Sequence, residues 1–246
     1  MDLMNPGANG SSEPRILIAS PITPSISYKK YCVSEYFSSL NSISYKNAEI
    51  LLLFNGGTMD EMDKMKKEAG KKINLEFLPM SHSIIETMVS ARNFLRQKVL
   101  DDNFDYLLFL EQDIIPPGGI VEKLLSNKKS VCSGLYFNLQ RGGNRALCYP
   151  GYNPMAWDFA SSSNGDIIEK TIDFDRLFPP SLIRVDGCGL GCVLIHKDVL
   201  SKIEFRSEKG EDFEEFFFAQ DCKNHGIDIF VDTSIICRHY VRRGSE

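Results

Sequence analysis

The stretch DYLLFLEQDIIPP, residues 105–117, runs five apolar residues into two carboxylates, Glu111 and Asp113, and then into two prolines. A short apolar run closed by turn residues reads as a strand covered on both faces, as in a parallel sheet. Ligands of open α/β sheets bind beyond the carboxyl ends of the strands. Residues two apart on extended chain project to the same side. The spacing therefore predicts that Glu111 and Asp113 converge on one point above the sheet edge. Mg²⁺ and Mn²⁺ take carboxylate oxygens and leave other positions to phosphate and water. Two acids here suit a metal–diphosphate complex better than a closed structural metal site. The plainer alternative is a polar strand end, where the chain simply leaves the core.

Working outward, further strands are predicted at RILIAS (15–20, ending at Pro21), EILLLF (49–54, running into NGGT), INLEFLP (73–79) and VCSGLYF (131–137). Helices are predicted over 28–40, 60–69 and 84–100, the last from the apolar spacing of Ile84, Ile85, Met88, Val89, Ala91, Leu95 and Val99. Strand–helix alternation implies an α/β architecture with right-handed crossovers and a mostly parallel sheet. Residues 138–181, rich in Gly, Asn, Pro and Ser, read as long loops with an antiparallel hairpin. VDGCGLGCVLIH (185–196) gives a glycine-rich turn and a strand, and KDVLSKI a short helix. The segment 211–226 is a helix stopped by Gly226. IDIFVD and IICRHY read as two short closing strands.

Bulk properties narrow the function. The chain has 246 residues, 43% apolar and 25% charged, with a formal charge of −5. This excludes a protein built chiefly to neutralise nucleic-acid phosphates. No apolar run is long enough to span a bilayer. The start, MDLMNPGANGSSEP, lacks the layout of a signal peptide and reads as a disordered lead-in over 1–14, leaving 15–246 as one domain. The seven cysteines form no CxxC pair, and several sit in apolar runs as buried small hydrophobes, which suits a reducing cytoplasm. The basic tail RHYVRRGSE is the one feature that would support peripheral membrane contact.

The segment SARNFLRQKVLDDNFDYLLFLEQDIIPP resembles the central motif of GT-A fold glycosyltransferases, especially glycosyltransferase family 2. There an Ala-Arg-Asn opens a helix and an apolar strand delivers Asp-x-Asp. Ala91-Arg92-Asn93 and Glu111-Gln112-Asp113 occupy those places. LLFNGGTMDE (52–61) resembles the family's DNGSTDE turn. VDGCGLGCVLIHKDVL resembles its acceptor-side strand, and FFFAQDCKNHGIDIFVDTSIICRH its terminal helix, strand and histidine. The resemblance implies a GT-A fold and transfer of a sugar from a nucleotide-diphosphate donor to a hydroxyl acceptor, such as a glycan or a lipid-linked group. It implies Mn²⁺ or Mg²⁺ held by Asp113, with Glu111 in the first acid's place contacting donor or metal and His239 joining the metal. Ala19, Ser20, Pro21, Asn55, Arg92 and Gln112 would bind the donor, Arg92 through the diphosphate or through Asp113. Phe54 stands where the family has an acid before that Asn.

Inverting transfer needs a carboxylate to take the acceptor's proton. The family spacing, counted back from Gly226, places its acid pair at Glu214-Glu215, with Glu215 as base. Glu211-Asp212 matches the letters instead, which keeps Asp212 in reserve. Acids also gather at helix N-termini for dipole reasons alone. A resemblance to retaining Golgi mannosyltransferases leaves the stereochemical outcome open. DGCGLG (186–191) lacks GxGxxG spacing and precedes a strand, which defeats a dinucleotide site. Its small residues would let an acceptor sugar approach, with Asp186, Gly187 and Trp157 on the acceptor side and Tyr152 and Phe159 as further rings. The rival readings are a nucleotidyltransferase, against which the glycine-free SPITPSISYKK counts, and a degenerate GT-A domain that binds a glycan or a partner.

Overall fold

The computed structural model describes residues 13–24, 32–139, 152–208 and 214–240. Strand and helix alternate through the first half as β1 (Ile16–Ile22), α1 (Val33–Asn41), β2 (Ala48–Phe54), α2 (Met59–Ala69), β3 (Ile73–Phe77), α3 (Ile84–Asp101) and β4 (Tyr106–Leu110). Next come β5 (Ile114–Ile115), α4 (Ile120–Ser126), β6 (Val131–Leu135) and β7 (Phe137–Leu139). The second half holds β8 (Tyr152–Pro154), β9 (Ala156–Ser161), β10 (Ile167–Thr171), α5 (Phe174–Leu177), β11 (Leu182–Val185) and β12 (Gly187–Cys188). It ends with β13 (Cys192–His196), α6 (Lys197–Leu200), α7 (Glu214–Asn224), β14 (Ile229–Ile236) and β15 (Arg238–His239).

Eight strands form the central sheet in the order β11-β14-β6-β13-β4-β1-β2-β3. The block β4-β1-β2-β3 is parallel, as is β14 with β6, while β13 runs antiparallel between β4 and β6. The architecture is therefore the expected α/β sheet, mostly parallel and flanked by helices. The apolar runs are continuous because both faces are covered. Leu17, Ala19, Leu51, Leu53, Leu107 and Phe109 join one core cluster with Ala91, Leu95 and Val99 of α3 and Phe218 of α7. Ile16, Ile18, Ile50, Leu52, Leu108 and Leu110 face the other way, toward Tyr36 and Phe37 of α1, Met62 of α2 and Leu124 of α4. The turn after β2 enters α2 through a capping box in which the Glu61 amide donates to Thr58 and the Glu61 carboxylate accepts from the Thr58 amide.

Two local expectations change, and a third, the antiparallel hairpin, is met and extended. The first strand does not stop before Pro21 but continues to Ile22, paired with β2 along its whole length. Its pairing with β4 covers only Ile16 to Ala19, so the proline's missing N–H falls beyond the two-sided part of the strand. The two short closing strands are one long β14, followed by the two-residue β15. The long region after β7 contains an antiparallel β9–β10 pair, which β12 extends to three strands. Of the expected lead-in, residues 1–12 lie outside the described set. Glu13 and Pro14 are held through their carbonyls, which accept from Asn47 at 2.6 Å and Tyr45 at 2.8 Å. The six described cysteines are all buried and none is in a disulfide.

Candidate functional site

The end of β4 is a turn, not extended chain: the Ile114 amide donates to the Glu111 carbonyl at 2.9 Å. Alternation of side chains therefore fails at this point: Glu111 pairs with Arg92 and Asp113 faces His239, while, beside the effect of burial, both carboxylates raise the pKa of His239 and Tyr36. Tyr36 fixes the turn from below by donating its hydroxyl to the Leu110 carbonyl at 2.6 Å. Gln112 is buried, and its amide oxygen accepts from the Thr23 amide at 3.1 Å, tying the turn to the end of β1.

Glu111 turns toward α3. Arg92 is buried, its Nη2 lies 2.5 Å from Glu111 Oε1, and its Nε lies 2.6 Å from Glu214 Oε1 at the start of α7. The guanidinium also stands over the Phe109 ring at 4.7 Å. Burial alone would weaken the arginine's charge, but Glu214 and Glu111 outweigh it and hold its pKa above the usual arginine value. Arg92 thus serves this carboxylate pair rather than Asp113, and Glu111 is neutralised by it rather than turned toward the other acid. The neighbouring Asn93 grips the backbone of Phe205 with both ends of its amide, at 2.7 and 2.9 Å. The Ala-Arg-Asn trio thereby packs, pairs and sews in one helical turn.

Glu215 sits beside this pair. Burial pushes its carboxyl up to about 8, repulsion from Glu214 and Glu111 adds to the shift, and Arg92 opposes it. The reserve residue Asp212 and its neighbour Glu211 lie outside the described residues.

Asp113 turns the other way. β15 pairs antiparallel with β5, setting His239 opposite Ile114, and the Tyr240 amide donates to the Asp113 carbonyl at 2.8 Å. This clip brings His239 Nε2 to 3.7 Å from Asp113 Oδ2. His239 Nδ1 meets the Phe137 carbonyl at 2.8 Å, and its ring packs edge-on against Tyr136. Burial alone would lower the histidine pKa, but the Asp113 carboxylate overrides it and the net shift is upward. Glu35 fastens the same clip from α1 through Arg238 and the Tyr240 hydroxyl. Tyr136 links the two halves of the site: it meets His239 edge to face, and its own pKa is pushed up by burial and then by Glu111 and Glu215.

The Asp113 carboxylate is a donor that Mn²⁺ or Mg²⁺ takes when phosphate and water complete the shell, and the imidazole nitrogen beside it suits the softer Mn²⁺ better than Mg²⁺. Among the described residues no group of three or more His, Cys, Asp or Glu side chains is placed to hold a metal. Asp113 faces His239, whereas Glu111, expected beside Asp113, faces Arg92 through Oε1.

Other expected site residues fall elsewhere. Ala19, Ser20 and Pro21 are buried inside β1, and the chain leaves the sheet at Thr23 and Asn55, the first residues past β1 and β2. The glycines of DGCGLG admit this chain's own rings. A Cβ at Gly187 would lie 2.4 Å from Trp157 Nε1, and one at Gly189 would lie 2.2 Å from the Tyr136 hydroxyl. Gly187 and Trp157 are therefore packed against each other, and the space a Gly187 side chain would need belongs to the indole. Asp186 accepts from the Phe159 amide at 2.8 Å and pairs with Lys223 at 3.2 Å. Phe159 packs on Phe216. Tyr36, Tyr136 and Tyr240 went unnoticed in the sequence because each acts across the fold and none stands in a local motif.

No protein-family model matches the sequence, and no curated protein matches it. Among solved structures, the chain is similar to A197 from STIV, with TM-score 0.50 and 17% identity over 93% of this chain and 86% of that one. It is also similar to GalNAc-T7, whose crystal structure contains UDP, GalNAc and Mn²⁺, with TM-score 0.65 and 13% identity over 94% of this chain. The match takes in 44% of the GalNAc-T7 chain, so this protein spans less than half of that length. At such identities the likeness concerns the backbone, and what it supports is a GT-A-like fold.

Proposed function

We propose that the protein is a metal-dependent glycosyltransferase, related to family 2, that moves a sugar from a nucleotide-diphosphate donor to a hydroxyl acceptor. The observation that carries this reading is the Asp113–His239 pair, brought together at the carboxyl end of β4 by the β15–β5 clip. Asp113 and His239 would hold Mn²⁺ or Mg²⁺. When bound, the metal supplies positive charge to the departing nucleotide diphosphate. Thr23, Asn55 and Gln112 form the sheet rim where the nucleotide would rest. Arg92 keeps Glu111 and Glu214 in place and sets the field around Glu215.

In the transfer, the acceptor oxygen bonds to the sugar's anomeric carbon. The bond from that carbon to the diphosphate breaks, and the electron pair leaves with the diphosphate. With inversion, the hydroxyl proton passes to the ionised form of Glu215, a form that becomes the major one only as pH rises through about 8.

The test is a thermal-shift and turnover screen with UDP-, GDP- and CMP-sugars, with and without Mn²⁺, on the wild-type chain and on Asp113→Asn. The expected result is a metal-dependent shift and transfer with one sugar nucleotide, both lost in the folded Asp113→Asn protein. Full activity of that variant would sink the reading. Shifts with nucleoside triphosphates alone would favour nucleotidyl transfer, and no shift at all a binding domain.

A further inference from the structure

A cavity of about 340 Å³ opens beside His239, lined by Phe137, Tyr152, Phe174, Phe178, Cys237 and His239. Four of these six are phenyl or phenol rings, and Phe174 and Phe178 pack together with centroids 4.7 Å apart. Cys237 is buried at the floor. The histidine adds little polarity, because Nδ1 is taken by the Phe137 carbonyl and Nε2 faces Asp113. The Cys237 thiol pairs with that of Cys192, so among the described lining residues the Tyr152 hydroxyl is the polar side-chain atom left for a ligand.

This lining decides what fits. Among the described lining residues, a sugar ring placed here would bury several hydroxyls with few side-chain partners, each unsatisfied group at a desolvation cost. A hydrocarbon or aryl group loses nothing of that kind and gains by removing its apolar surface from water. The volume is at the small end of ligand pockets, enough for one aromatic ring or a short alkyl chain. The cavity shares His239 with the pair assigned above to the metal, so an occupant stands next to the place where transfer would occur.

We propose that this cavity is an aglycone subsite: it takes an aryl or short alkyl group of the acceptor, next to the hydroxyl that receives the sugar. The assignment rests on the glycosyltransferase reading. The acceptor oxygen bonds to the anomeric carbon as the bond to diphosphate breaks, with the proton passing to Glu215.

Benzyl alcohol is the probe, with glycerol and glucose as polar controls, on the full chain. Binding is read by ligand-observed NMR and calorimetry, and transfer is read separately with the sugar nucleotide and Mn²⁺. Expected are saturable binding of benzyl alcohol at least tenfold tighter than glycerol or glucose, and a matching preference as acceptor. Phe178→Ala changes a ring that is 36% exposed, so the fold tolerates it, and it should weaken benzyl alcohol binding about tenfold with metal and nucleotide binding unchanged. Sugar-nucleotide binding without benzyl alcohol binding overturns the subsite and spares the transferase reading. Equal affinity for glucose and benzyl alcohol, or an undiminished Phe178→Ala, also overturns the subsite. Benzyl alcohol binding with no transfer from any sugar nucleotide overturns the acceptor role together with the transferase reading.

Discussion

Replacing Arg92 by Met keeps an unbranched apolar stem but removes the cation that lies between Glu111 and Glu214. Two short charge-assisted hydrogen bonds disappear, at 2.5 and 2.6 Å, together with the stacking on Phe109. Breaking a buried pair by removing one partner costs about 3–5 kcal/mol, because the remaining charge stays buried without compensation. The two carboxylates are not equal. The Glu214 side chain is 4% exposed and bears the full penalty, whereas Glu111 is 25% exposed and water screens it. The low end, about 3 kcal/mol, is therefore expected. In urea unfolding at pH 7, with a slope of about 2–3 kcal/mol per molar, the midpoint should fall by about 1 M. The double variant Arg92→Met, Glu214→Gln removes the stranded charge and should recover at least half of the loss. A single-variant loss under about 1 kcal/mol, or a double variant no more stable than the single, would refute the view that Arg92 is the keystone of this carboxylate cluster.

Glu215 gives a pH signature. Its carboxyl is raised from 4.5 to about 8, so the folded protein holds a proton that the unfolded chain releases. Stability should therefore fall as pH rises from about 4.5 through about 8, by up to about 1.4 kcal/mol per unit. Urea midpoints at pH 5, 7 and 9 should show this slope in the wild type and a flatter one in Glu215→Gln; equal slopes would contradict it. Gly187→Ala should cost about 1–3 kcal/mol, since the new methyl meets the Trp157 indole. Gly118→Ala, with nothing near the added carbon, should leave calorimetric Tm nearly unchanged, and a similar Tm for both variants would show that the indole yields freely.

The strands were legible because each is a local pattern. The runs at β1, β2 and β4 have apolar residues on both faces, and only a doubly covered sheet buries such a run. The α3 stripe and the turn after β2 were legible for the same reason, as propensity and capping act within a few residues. The GT-A resemblance ordered these pieces correctly along the chain. The glycines of DGCGLG were legible as places of close approach, but not what approaches them. Trp157 reaches them from β9 and Tyr136 from the link between β6 and β7, both distant in sequence.

The sequence by itself determined the α/β sheet, the strand that ends at Glu111, and the acids and histidine available to a site. Only the tertiary structure decided how they are shared. A turn after Leu110 cancels the alternation that would have joined Glu111 to Asp113. Arg92, reaching from α3, draws Glu111 to the start of α7. The β15–β5 clip carries His239 to Asp113. Each of these contacts spans parts of the chain that no local periodicity relates. They are settled by where buried charges find partners once the sheet has closed, and a buried charge must find one.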